Sequence, residues 1–337
     1  MLRFFELNYH YLCESILTIS FEYVLSMIID TELFAAPLQG FTDCVWREAH
    51  AMTFGDIDAY VAPFMRVEHG EPRRRDLADI DPEHCRHHTV IPQILACRPL
   101  DAVLMAERLK ALRYSRVDIN LGCPFKPIAL KGINGQGCGM LRHPEAVRQL
   151  FTALAAVDGM SYSVKMRLGW DDASQWRDIL PLMELLRPTH ITVHPRIGLQ
   201  QYGGELLTEQ FGALLAASPY PINYNGDLTE LQHIDDTLRR FPKLAGVMIG
   251  RGLVAHPHML CPDRADRLLD FHQMLFDGYR ERLTGGDHQL LRRMQALWEY
   301  FLPDAGHRLR KAIKKANSLA HYEQAAQDCI TDYISKI

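Results

Sequence analysis

From Leu33 onward the chain alternates short apolar runs with longer stretches of helical spacing. Eight such runs recur: LFAAP (33–37), AYVAPF (59–64), VIPQIL (90–95), RVDIN (116–120), YSVKM (162–166), HITVH (190–194), PINYN (221–225) and GVMIG (246–250). Most are apolar along their whole length, which is how strands of a parallel sheet read when helices cover the outer face. The segments between them are amphipathic. In LDAVLMAERLKALR (100–113), Leu100, Val103, Leu104 and Leu109 are expected near one face. Eight βα units over roughly 225 residues predict an α/β fold, a (β/α)8 TIM barrel, whose usual size is about 250 residues. A doubly wound sheet is the competing architecture. After Pro257 the strand pattern stops, and Ala265 to Ile337 is helical in pattern, broken by TGGD (284–287) and LPDAGH (302–307). Three segments are expected: an extension over 1–30 with no assigned role and Met27 as an alternative start, a barrel over 31–260, and a C-terminal helical domain over 261–337.

Composition narrows the class without naming a function. The 337 residues are 47% hydrophobic and 23% charged, enough to bury a full core. A formal charge of −4 gives no global pull toward nucleic acid or an anionic membrane, so any such contact rests on local asymmetry. Glu6, Glu14 and Glu22 interrupt the apolar first thirty residues, so no membrane span is expected there, and no secretory signal is read. The eight cysteines are scattered with no C-x-x-C pair, which argues against a disulfide framework or a zinc site and for a reducing cytoplasm. A monomer is expected.

In a barrel of this kind the active site forms at the C-terminal ends of the strands. Gln93, Asn120, Lys165 with Arg167, His194 with Arg196, Asn225, and Gly250 with Arg251 all fall at or near such ends. The mouth they predict is rich in donors and poor in carboxylates, suited to an anionic ligand. NGD (225–227) and GRG (250–252) lie on the last two βα loops, where such barrels commonly bind phosphate. Lys165 either meets a ligand anion or snorkels to the rim. Cys123 follows strand four between a glycine and a proline. It could ligate metal, act as a nucleophile, or serve as a general acid, since a thiol with pKa near about 8.5 stays protonated at neutral pH. The flanking Gly122 and Pro124 fix a tight turn and argue against a simple packing role.

APLQGFTD (36–43), PQILA (92–96), INLGCPFK (119–126), VKMRLGW (164–170), VHPR (193–196), NYNGD (223–227) and MIGRG (248–252) together resemble the tRNA-dihydrouridine synthases, in order over about residues 33–257. The resemblance implies an FMN-binding barrel that uses NADPH to reduce particular tRNA uridines. It implies Pro37, Leu38 and Gln39 lining the flavin, Gln93 and Lys165 contacting its ring, and His194, Asn225, Gly226, Asp227, Gly250 and Arg251 holding the phosphate end. Asn120 and Arg196 are added to the cofactor set from their strand ends. By the same resemblance Cys123 protonates C5 of uracil while hydride reaches C6. Leu38 stands where the family usually has methionine. Pro127 and the glycine-rich GINGQGCG (132–139) depart from the pattern, and that loop is expected to act as a flexible lid.

A tRNA substrate demands cations. Between Tyr279 and Lys315 nine Lys/Arg face four acidic residues, a local excess of five. Arg292, Arg293, Arg308, Arg310, Lys311, Lys314 and Lys315 are therefore the expected tRNA contacts. The nearest rival is an FMN barrel reducing a free small molecule such as dihydroorotate. A second is a nucleotide-binding protein without catalysis.

Overall fold

Strand one, Glu32–Ala35, pairs in parallel with strand eight, Gly246–Ile249, on one side and with strand two, Ala59–Val61, on the other. The computed structural model describes residues 31–337, and the expected 1–30 extension lies outside the described residues. From strand eight the parallel pairing continues through strand seven (Ile222–Tyr224), six (Ile191–Ile197), five (Ser161–Gly169) and four (Arg116–Leu121). Strand three closes the ring in two pieces. Val90–Ile91 pairs with strand two and Gln93–Ile94 pairs with strand four. Pro92 between them has no N–H to offer the ladder, yet its carbonyl still accepts from the Asp118 N–H at 2.9 Å. The eight apolar runs are thus the staves of a TIM barrel, as the pattern predicted.

One large core lies outside the ring, between the staves and their helices, and continues into the C-terminal helices. The helix Pro99–Ala111 corrects the expected face. Ala102, Met105, Ala106 and Leu109 are buried, whereas Leu100 and Leu104 are exposed. The two alanines let the helix approach the sheet closely, and that proximity outweighs the larger apolar area of the leucines. The interior of the ring is divided. Phe34, Ala36, Ala59, Val61, Ile91 and Met248 form a separate apolar cluster on strands one, two, three and eight. The buried polar residues Gln93, Asp118, Asn120, Ser163, Thr192, His194 and Asn223 come from strand three and strands four to seven.

The strands end at Ile249, and four longer helices follow: Leu268–Arg282, Gly286–Leu297, His307–Lys315 and Leu319–Ile334. The first packs against the helix Cys44–Thr53 of the barrel. No helix among the described residues is long and apolar enough to cross a membrane. The joint centres on Asp43, which caps Cys44–Thr53 by accepting the Trp46 N–H at 3.2 Å. Its carboxylate also accepts from Tyr279 Oη at 2.8 Å and Arg293 Nη2 at 2.7 Å, and Arg293 donates to the Gly40 carbonyl as well. One guanidinium therefore ties the first βα loop to two helices. Arg293→Met leaves Asp43 and Tyr279 without their shared partner, and a loss of about 1–3 kcal/mol is expected. Urea denaturation checks this, and a change within about 0.5 kcal/mol would show that the joint holds without its arginine.

Candidate active site

The C-terminal strand ends open into one cavity of about 580 Å³, lined from the first βα loop (Pro37, Leu38, Gln39, Phe41) round to the last (Gly250, Arg251, Gly252). Such a volume suits a cofactor-sized ligand. Five cationic side chains line it, Arg66, Arg75, Lys165, Arg167 and Arg251, against one carboxylate, Asp227. That carboxylate is already engaged. Arg196 Nη2 donates to it at 2.6 Å and Nη1 at 2.9 Å, and Arg251 donates at 2.8 Å, so the Arg196 bonds foremost hold the Asp227 carboxyl below the usual range. Arg66 and Arg75 are paired in turn with Glu68 and Asp76, so the charge left facing the cavity is that of Lys165 and Arg167, and it is positive.

Cys123 sits on this wall at the end of strand four. The turn exists because Asn120 Oδ1 accepts from the Gly122 N–H at 3.0 Å and the Cys123 N–H at 2.8 Å. A side chain at 122 would touch the Lys165 carbonyl, 3.4 Å from its Cβ. Burial pushes the Cys123 thiol up, against the pull of the Phe125 backbone and of Arg167, Arg66 and Lys165. The thiol keeps its hydrogen at neutral pH, which favours an acid over a thiolate nucleophile.

The glycine-rich loop differs from the expected lid. Residues 137–141 are buried, the Cys138 N–H donates to the Cys123 carbonyl at 3.1 Å, and Cys138 Sγ contacts the Gly169 carbonyl at 3.2 Å. Gly137 has φ +55°, and a Cβ there would lie 3.0 Å from that of Cys123. A Cβ on Gly139 would stand 1.7 Å from the Ala129 carbonyl oxygen. These glycines allow the chain to pack beneath the cysteine turn, and only residues 130–134 form an exposed tip.

Lys165 reaches Asn225 Oδ1 at 2.6 Å, and Asn225 Nδ2 donates to the Met248 carbonyl at 2.7 Å. Burial foremost, aided by Arg167, pushes the lysine down to about 8. His194 is held well below its ordinary value by burial and four nearby cations, so it is neutral. Its Nε2 lies 3.2 Å from Arg196 Nη1, which can only donate, so the ring proton is on Nδ1.

Of the expected cofactor residues, Pro37, Leu38, Gln39, Asn120, Lys165, His194, Asn225, Gly226, Asp227, Gly250 and Arg251 line the cavity together with Cys123. Gln93 and Arg196 lie behind the wall. Gln93 is fully buried between Asp118 and Asn120, and Arg196 braces Asp227, His194 and the Gly204 carbonyl. Of the expected tRNA contacts, Arg292, Arg308, Lys311, Lys314 and Lys315 are exposed. Arg293 and Arg310 are already engaged within the chain: the first bonds Gly40 and Asp43 of the first βα loop, and the second places its guanidinium on the carbonyls of Trp298, Phe301 and Leu302. Sequence reasoning missed Tyr202 and Tyr300. Tyr202 stacks under Arg251 and Arg167, whose guanidinium carbons lie 5.1 and 5.5 Å from its ring. Tyr300 reaches back from the helical region to meet Phe41 edge-on at 4.8 Å. Tyr202 shares the loop after strand six with an exposed Leu199, a local signal; Tyr300 had none.

A family model described as dihydrouridine synthase (Dus) matches residues 34–331. A probable tRNA-dihydrouridine synthase 1 from Synechocystis sp. is 28% identical over 70% of this chain and 65% of its own length. A tRNA-dihydrouridine(16) synthase from Haemophilus ducreyi is 28% identical over 67% of this chain and 71% of its own. The solved histamine dehydrogenase from Rhizobium sp. 4-9 shares the fold, with TM-score 0.50 and 11% identity over 79% of this chain and 49% of its own.

The lysine makes a prediction for the protein without ligand. Its folded value of about 8 lies below the ordinary 10.5. Below pH 8 it is charged in folded and unfolded chains alike, and the folded state bears the whole desolvation cost. That cost fades as the pH rises toward 10.5. Lys165→Met is thus expected to stabilise the protein most below pH 8, with an advantage that shrinks as the pH climbs. Urea denaturation of both proteins at about pH 7 and about pH 10 checks it, and an equal gap at both would contradict the assignment.

Proposed function

The chain belongs to the dihydrouridine synthase family, and from that premise we propose that it reduces uridine in tRNA to 5,6-dihydrouridine, with FMN as bound cofactor and NADPH as electron donor. The observation that carries the reading is Cys123 on the wall of a cationic cavity of about 580 Å³, where burial pushes its thiol up, toward the protonated form. The residues present fit FMN. Asp227 is the only carboxylate among the cavity-lining residues, and it is bound by Arg196 and Arg251. Arg251, His194 and the glycine loops at 226 and 250 would hold the phosphate end. Pro37, Leu38 and Gln39 would wall the ring, and Lys165 would face its electron-rich edge.

When bound, FMN supplies the hydride that adds to C6 of the uracil. Cys123 then gives its proton to C5, and the raised thiol pKa keeps that proton available until negative charge develops on the carbon. Arg167, which donates to the Gly122 carbonyl at 3.1 Å, steadies the cysteine turn from the strand beside it. Tyr202 and Tyr300 supply aromatic faces at the mouth for a base taken out of its stack. Arg308, Lys311 and Lys315 recur on one side of the helix His307–Lys315 and would meet tRNA phosphates. The seven cysteines among the described residues are all free, which fits a cytoplasmic setting.

Deleting the gene in its host and mapping dihydrouridine by position is expected to remove the modification from one site or a defined set. Survival of every site in a host with no second such enzyme would falsify the reading. In the purified protein, Cys123→Ala should keep bound flavin and its reduction by NADPH while tRNA turnover falls at least about 100-fold. Full turnover in that variant would remove the acid role. The double change Lys311→Glu, Lys315→Glu is expected to raise KM for tRNA at least about tenfold with flavin reduction unchanged. An unaltered KM at low salt would move the tRNA contact elsewhere.

A further inference from the structure

Asp118 lies mid-strand inside the ring, fully buried, and forms no ion pair among the described residues. A buried carboxylate in that state is expensive unless hydrogen bonds satisfy it. Ser163 Oγ donates to one oxygen at 2.6 Å and Gln93 Nε2 to the other at 2.6 Å. Burial raises the carboxyl to about 6, against the pull of those two bonds and of Lys165, so the group is ionised at neutral pH. Beyond Gln93 the chain of bonds continues. Gln93 Oε1 accepts from Asn120 Nδ2 at 2.7 Å, and Asn120 Oδ1 accepts from the backbone N–H groups of Gly122 and Cys123.

The polarity of this chain is set from both ends, since the Gly122 and Cys123 N–H groups can only donate and call for the Asn120 carbonyl. An ionised carboxylate can only accept, so Gln93 must turn its NH2 toward Asp118 and its carbonyl toward Asn120. Asn120 must then turn its NH2 toward Gln93 and its carbonyl toward the turn. We propose that Asp118 is a positioning residue for Cys123, acting through the Gln93 and Asn120 amides to keep an acceptor beneath the cysteine turn. The proposal rests on the reading of Cys123 as the acid.

Packing alone does not account for the carboxylate. Asparagine would fill the same space without burying a charge. It offers both a donor and an acceptor, however, so Gln93 could sit either way round. A flipped Gln93 sets its NH2 against that of Asn120, so either their bond is lost and Asn120 loosens, or Asn120 turns with it and releases the Gly122 and Cys123 N–H groups. Displacing a reacting group by about 1 Å costs on the order of 100-fold in rate.

Asp118→Asn is therefore expected to lower kcat for tRNA, per bound flavin, roughly ten- to 100-fold, with KM for tRNA unchanged. The decisive variant is Asp118→Asn with Gln93→Glu. It moves the carboxylate one position along the chain of bonds, with the same total charge and nearly the same volume. The carboxylate now at position 93 accepts from the amide at position 118 on one side and from Asn120 Nδ2 on the other, so Asn120 keeps its carbonyl toward the turn. This double variant is expected to recover kcat to within about threefold of the parent. A double variant with kcat as low as that of Asp118→Asn overturns the proposal, as does parental kcat in Asp118→Asn alone. Should Asp118→Asn fail to fold, the double variant still decides: near-parental kcat supports the relay and a tenfold or greater loss sinks it. Cys123→Ala separates the two readings. Full activity there removes the acid role, whereas an inactive Cys123→Ala beside a fully active Asp118→Asn removes only the relay.

Discussion

The interior of this ring carries polar groups on half its circumference, and those groups must find partners without water. Every other feature of the site depends on how that is met. On strands one, two, three and eight, hydrocarbon fills the space. Around the cysteine turn and the lysine, inward polar groups bond to one another within a strand or across one or two: Gln93 to Asp118, Ser163 to Asp118, Lys165 to Asn225, Arg196 to His194. Parallel register makes this possible. Asn120 faces Lys165 and Asp118 faces Ser163 across the ladder, so side chains of one layer meet at bonding distance. The polar groups next to the cysteine turn and the lysine are thus bonded to one another, whereas Thr192 Oγ1 and both amide atoms of Asn223, deeper in the ring, have no partner among the described residues.

That division sets the electrostatics of the mouth. Desolvation acts on every ionisable group there, but its sign depends on the group. It keeps the Cys123 thiol protonated, the His194 ring neutral, and the Lys165 ammonium close to losing its proton. The arginines keep their charge throughout. An anion at this wall would give Lys165, whose ammonium here meets only the neutral Asn225 Oδ1, a partner of opposite charge. An affinity of this wall for an anion and retention of the thiol proton would then share one origin, its burial.

How much of this was legible in the sequence follows from the range of each interaction. The eight staves were legible because a buried parallel strand is apolar throughout, a property of five or six consecutive residues. The strand-end residues were legible because the barrel fixes which ends converge. That Gln93 and Arg196 stand one layer behind the cavity wall was not legible, since strand position locates a residue along the axis but does not say whether a neighbour has already taken its polar atoms. The buried face of Pro99–Ala111 was misjudged because apolar size was read where closeness of approach decided. Arg293 and Arg310 read as free cations because their partners, Asp43 and the carbonyls of Trp298, Phe301 and Leu302, lie far along the chain or on the backbone. Asp118 did leave a trace, a lone acid between Val117 and Ile119, and its meaning needed the partners on two other strands.

The helical region completes the cavity as well as extending the surface. Tyr300 lines the mouth from beyond the last strand, with Phe41 of the first βα loop against its ring. Arg293 holds that same loop at Gly40 and Asp43, a few residues from Pro37, Leu38 and Gln39. The Leu302 N–H donates to the carbonyl of Ala255, which ends the helix begun by Arg251. The helices therefore bond to the loops on both sides of the ring's first and last strands, the loops proposed to wall the cofactor. A macromolecule engaging the exposed cations of His307–Lys315 would load the same body that shapes the mouth. Recognition of a large substrate and alignment of its reacting base would then act through one continuous packing of helices and loops.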